Sequence, residues 1–251
     1  MDFTPDQYQT LLQALIQSNI PYTLRHDVDA KPRHALRIAQ LEQAAGIKSI
    51  YYFRHRPHGW DEEVIRAVAA SGHRIGYHYE SLVTCRGNLA EAYTDFCRNL
   101  ESLRRIVPVT TVCMHGSPHS RYNSRTMWQT YDYRRLGIDY EPYLDTDFDQ
   151  TLYLTDTGRR WDGWRYSVRD IIESHQSRWQ QQGLTFRSSE DLVGALLDPN
   201  SILRQSGYGL LLTTHPQRWV PFGAEWCMEW AGQAIKNQIK RVVKRSVASS
   251  Q

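Results

Sequence analysis

The constraint that narrows the fold of this chain most is alternation: short runs rich in β-branched and aromatic residues take turns with segments of helical period. Residues 21–27 (PYTLRHD) read as a first strand. Residues 31–46 follow as a helix, with Pro32 near its start and Gly46 at its end. Residues 47–54 (IKSIYYFR) form a second predicted strand. In residues 61–72 Asp61 is placed to cap a helix, acidic residues fill the first turn and Gly72 stops it. Residues 73–79 (HRIGYHY) are a short third strand. The clearest helix spans residues 88–106, where Leu89, Tyr93, Phe96, Leu100 and Leu103 recur at helical spacing behind a capping Asn88. A fourth strand is predicted over residues 108–116 (PVTTVCMHG).

From about residue 120 to 185 the pattern weakens into a short helix and a long aromatic and acidic loop. Further strands are predicted over residues 151–158 (TLYLTDTG), 184–188 (LTFRS) and 208–216 (YGLLLTTHP). Ser188 and Asp191 offer a capping box before the helical LVGALL. Alternating strands and helices in 251 residues predict one α/β domain, a parallel sheet with helices outside it and enough units to close as a barrel.

A net charge of only +3 gives no polyanion-binding signal, so no nucleic-acid partner is expected. The first residues lack the basic start and apolar centre of a signal peptide, and no window approaches the 18 apolar residues of a membrane span. Cys85, Cys97, Cys113 and Cys227 are scattered without paired spacing, as expected of reduced thiols. The expectation is a soluble, cytoplasmic protein.

Chemistry gathers where the predicted strands end. The first ends in His26, Asp27 and Asp29; the third carries His73 at its start and His78 at its end; the fourth ends in His115 and the last in His215. In parallel α/β folds the carboxyl ends of strands meet on one face, where active sites are built. Taken singly, each histidine reads as a hydrogen-bonded structural residue. Taken together, two carboxylates and three imidazoles suit a first-row metal such as zinc, with a coordination position left for water.

The segments LRHDVD, GHRIGYHYE and LLLTTH resemble the motifs of the polysaccharide deacetylase family, the NodB-homology enzymes. CMHGSP, YLTDTGRRWDG and THPQRW are similar to the WbmS-like branch, associated with surface-polysaccharide gene clusters. The likeness covers residues 22 to about 220. It implies a distorted (β/α) barrel of about seven parallel strands, and metal-dependent hydrolysis of the N-acetyl group of a nucleotide- or lipid-linked sugar in O-antigen-type biosynthesis. Carried across position by position, it makes Asp27 the general base, Asp29 and His78 metal ligands, and His215 the acid toward the leaving amine. The divalent metal it implies is zinc. Where the family's second motif has another histidine, this chain has Leu82. Either the third ligand comes from elsewhere, with His115 preferred and His26 in reserve, or the metal site is degraded. Asp156 and Trp161 fall near the family's Asp-Trp element, Asp156 as a residue orienting a catalytic side chain.

Arg25, Arg54, Arg56, Arg121, Arg125 and Arg159 stand in or beside the strand-end loops. Arg25, with Asp156 and Trp161, is a candidate for substrate binding, since a guanidinium can grip a sugar carboxylate or a pyrophosphate. Residues 222–251 form a basic amphipathic helical extension: Ile235, Ile239 and Val242 make an apolar stripe among Lys236, Lys240, Arg241, Lys244 and Arg245. Packing on the domain is its expected role, with attachment to an anionic membrane as the alternative. Two other functions compete with deacetylation: a related metal-dependent C–N hydrolase or acyl-group enzyme acting on a sugar intermediate, and a non-catalytic carbohydrate-binding relative.

Overall fold

Every strand pairing described is parallel. The structure, a computed structural model, describes residues 1–117, 120–162, 167 and 171–248, with the side chains described only as far as residue 238. In chain order the elements are α1 (Pro5–Ser18), β1 (Tyr22–Val28), α2 (Pro32–Ala44), β2 (Ile50–Arg54), α3 (Glu62–Ala70), β3 (Arg74–Tyr79), the single turn α4 (Ser81–Thr84), α5 (Leu89–Arg104) and β4 (Thr111–Met114). After these come α6 (Pro142–Asp145), β5 (Thr151–Thr155), α7 (Glu173–Gln181), α8 (Ser189–Leu197), α9 (Ile202–Gln205), β6 (Gly209–Thr214) and α10 (Ala224–Ala248). Among the described residues no helix is long and apolar enough to cross a membrane.

The chain divides into two units, residues 25–146 and residues 1–24 with 147–251. In the first of these the strand order is β4-β3-β2-β1, with helices following the strands. The caps read from sequence form there: Asp61 accepts from the Val64 N–H and Asn88 from the Glu91 N–H. Register aligns Asp27 with Tyr52, Tyr52 with Gly76 and Gly76 with Thr111, and two residues on aligns Arg54 with His78 and His78 with Cys113. Because strand side chains alternate, these residues share one face, while His26 and Tyr51 belong to the other. Gly76 is required by that face: a Cβ there would lie 2.4 Å from the Tyr52 ring. Behind it, His26 Nε2 meets Glu42 Oε1 at 2.7 Å and the Tyr51 hydroxyl donates to Glu42 Oε2 at 2.6 Å, all three fully buried.

In the other unit β5 runs beside β6, and the Leu210 N–H donates to the Pro21 carbonyl just before β1. Helix α1, for which the sequence reading offers no element, is capped by Thr4 and packs on α8. The capping box of Ser188 and Asp191 is formed. The strand expected over residues 184–188 is absent, so six strands rather than seven are described. Its backbone donors are engaged locally: the Leu184 N–H closes α7 on the Trp179 carbonyl, and those of Arg187 and Ser188 go to the Asp191 carboxylate. A ladder needs those groups free. Pro118 and Gly163, within the motifs quoted above, and residues 249–251 of the extension lie outside the described residues.

Candidate metal centre

Strand β1 ends at Val28, so Asp27 is held in regular strand geometry and Asp29 lies just past it, where the backbone leaves the sheet. The loop after β2 lies against this end. A Cβ on Gly59 would come within 3.0 Å of the Val28 and Asp29 carbonyl oxygens, which is why a residue without one stands there. Asp29 Oδ1 is 3.4 Å from His78 Nε2 and 3.6 Å from His115 Nε2. One ligand atom from each of Asp29, His78 and His115 fits within a mutual separation of 4.8 Å. The three residues judged most suited to hold metal thus meet, with Leu82 buried on α4 instead of supplying a ligand.

The second nitrogen of each ring is already used. His78 Nδ1 donates to the Cys113 carbonyl at 3.0 Å. His115 Nδ1 lies 3.1 Å from Glu80 Oε2 and 3.0 Å from Ser117 Oγ. Such bonds to a carbonyl or carboxylate fix the tautomer, leaving the Nε2 lone pair to face Asp29. Glu80 is itself anchored, accepting from Arg54 Nε at 3.0 Å and Nη2 at 2.6 Å and from Arg56 Nε at 2.5 Å. Burial pushes the Glu80 carboxyl up, but hydrogen bonds from His115 and Arg54 outweigh it and hold it far below the usual carboxylate range. Burial pushes the His78 imidazole down, and the charges of Asp27 and Asp29 reverse that to a net rise.

Asp27 stands beside this cluster without belonging to it. Its Oδ2 is 3.9 Å from both His78 Nε2 and Arg25 Nη2, and its buried Oδ1 has no hydrogen-bond partner among the described residues. Arg25 is fully buried; Nη1 donates to Cys113 Sγ at 2.5 Å, Nη2 to the Tyr143 hydroxyl at 2.8 Å, and its guanidinium lies 4.7 Å from the Tyr143 ring centroid. A second ligand-type group, Asp27, His78 and Cys113, is also within metal-holding distance. There the thiol faces the Arg25 cation, a poor neighbour for a second positive charge. The donor set Asp29, His78 and His115 therefore fits a divalent ion better. His26, held in reserve, pairs with Glu42 on the opposite face.

The remaining candidates lie in the other unit. The Asp156 carboxylate, fully buried, accepts from His215 Nδ1 at 2.6 Å, Arg218 Nη1 at 2.6 Å, Trp219 Nε1 at 2.9 Å and the His215 backbone N–H at 2.9 Å. Asp156 thus orients His215. Burial pushes its carboxyl up, and Arg218 with His215 pull it below its usual value. Trp161 is buried, its indole N–H on Ser189 Oγ at 2.9 Å.

Sequence reasoning missed Glu80, Cys113, Tyr143 and Arg218. Glu80 carried a signal, since it follows His78 by two positions at a strand end. Tyr143 carried none, because only folding brings it to Arg25 across 118 residues. Compared with models of known protein families and with curated proteins, the chain matches none.

Proposed function

We propose that this protein is a metal-dependent hydrolase that removes the acetyl group from an N-acetylated sugar, built on the distorted barrel of the NodB-homology type. The observation that carries the reading is the meeting of Asp29 with two imidazoles whose Nδ1 atoms are both taken and whose Nε2 atoms both face it. Asp29, His78 and His115 would hold the divalent ion, with zinc suited to this oxygen and nitrogen set. When bound, such an ion acts as a Lewis acid toward a carbonyl and lowers the pKa of water.

The other steps belong to the chain's own side chains. Asp27 takes a proton from the attacking water through Oδ1, its free acceptor, while the Arg25 cation 3.9 Å from Oδ2 balances its charge. The water oxygen bonds to the acetyl carbon, the C–N bond breaks, and acetate leaves with the amine restored on the sugar. His215 is assigned the proton for the departing nitrogen. Asp156 accepts from its Nδ1, which leaves Nε2 as the atom that delivers the proton. Arg218 keeps Asp156 ionised for that task.

Metal analysis together with acetate release from nucleotide-linked N-acetyl sugars tests the reading. Asp27→Asn is expected to abolish turnover and retain the metal; loss of metal in that variant would reverse the roles of the two aspartates. Bound metal without acetate release would instead favour the related C–N hydrolase or acyl-group enzyme, and neither would favour a carbohydrate-binding relative.

A further inference from the structure

Outside the candidate metal centre, a groove of about 410 Å³ lies in the unit of residues 1–24 and 147–251, where α10 lies against residues 1–3 and 158–160. One wall is aromatic. Trp226 and Trp230, one helical turn apart, have ring planes parallel to within 9° and centroids 6.5 Å apart. Trp226 is fixed in place: its indole N–H donates to the Asp2 carbonyl at 2.9 Å, and the Arg159 guanidinium lies 4.7 Å from its centroid. Trp230 is 56 % exposed and makes no hydrogen bond with the described residues. A large indole left in water on a rigid support is a surface prepared for a ligand face.

The other side of the groove carries carboxamides. Gln233 donates to Asn237 Oδ1 at 2.8 Å, and Asn237 donates to the Gly158 carbonyl at 3.0 Å. Gln238 lines the groove beside them. Carboxamides donate and accept at once, which is what ligand hydroxyls require. The charged side chains lining the groove are already engaged: the Asp2 carboxylate accepts from the Phe3 N–H at 2.8 Å and the Ser189 N–H at 3.0 Å, Arg160 grips both oxygens of Asp162, at 2.6 and 3.0 Å, and Arg159 lies on Trp226. A flat ligand with one apolar C–H face and a hydroxyl edge matches both walls, and the volume lies within the range of small-molecule sites.

We propose that this groove binds a neutral saccharide, one pyranose ring lying on Trp230 and its hydroxyls meeting the Asn237 and Gln238 amides. The inference stands apart from the metal reading, because none of its residues belongs to the metal centre. Calorimetric titration of the full chain with chitotriose and with maltotriose tests it. Saturable binding of at least one is expected. Trp230→Ala should weaken it about tenfold or more, whereas Trp230→Phe, which keeps an aromatic face, should stay within about threefold. Asp29→Ala should bind the saccharide as the parent does, so failure of the acetate assay with this titration intact would overturn only the deacetylase reading. No saturable heat with either sugar up to about 10 mM would overturn the saccharide site, as would unchanged affinity in Trp230→Ala. So would Trp230-dependent binding to phosphatidylserine vesicles with no sugar binding.

Discussion

Glu80→Gln tests the idea that the support behind His115 determines metal affinity. The carboxylate takes donors on both oxygens: Arg54 Nε and Arg56 Nε on Oε1, and Arg54 Nη2, the His115 ring and Ser117 on Oε2. Glutamine has the same shape but one oxygen fewer. If its nitrogen takes the Oε2 position, an N–H₂ group faces His115 Nδ1. The ring then gains most by accepting there, which moves its proton to Nε2 and blocks the ligand atom. If the nitrogen takes the Oε1 position instead, it meets two guanidinium donors and the loop carrying Arg56 loses its anchor. Loss of such a supporting partner costs about 10- to 100-fold in metal affinity, or about 1.4–2.7 kcal/mol. The assay is competition for zinc against a chromophoric chelator at neutral pH, with circular dichroism to confirm folding. Arg56→Ala, at a side chain 42 % exposed, is the control and should change affinity less. An affinity for Glu80→Gln within about twofold of the parent, when Asp29→Ala abolishes binding, would refute the tautomer argument.

Three further outcomes follow from the buried networks and α10. His26→Leu removes one member of a fully buried pair and leaves the Glu42 carboxylate without it, so urea unfolding should report a loss of about 3 kcal/mol or more. Asp156 has a carboxyl held below its unfolded value, so its contribution to stability is complete above about pH 4 and is lost as pH falls through the lower folded value. Asp156→Asn should therefore lower neutral-pH stability and flatten its decline on the acid side, measured by thermal unfolding across pH 2–7; an unaltered acid slope would contradict this. Helix α10 buries Gln233 while Met228 and Ile235 remain exposed, and Lys236 begins a basic run. If α10 also meets an anionic membrane, sedimentation with acidic vesicles should fall with salt and vanish on truncation at residue 230.

Much of the chemistry was legible because strand ends are legible. The Asp27–Asp29 pair, His78, His115 and His215 each close a run whose period and composition mark a strand, and Asp61, Asn88 and Ser188 cap the helices they precede. These signals are local, encoded in side-chain periodicity and in hydrogen bonds spanning three residues or fewer. The strand expected at 184–188 failed for the same reason in reverse. A β-like composition there is overridden by backbone donors committed to the end of α7 and the cap of α8.

The tertiary structure decided what no window of sequence contains. It sent His26 to Glu42 and its neighbour Asp27 to the opposite face, aligned His78 with Cys113 through strand register, and brought Glu80 onto His115. It also chose among chemically equal histidines: His115 faces Asp29, and His26 does not. Sequence determines which residue types are available at each strand end. Register and the alternation of side chains across the sheet determine which of them share a space, because a contact between distant residues depends on the path of the whole chain between them.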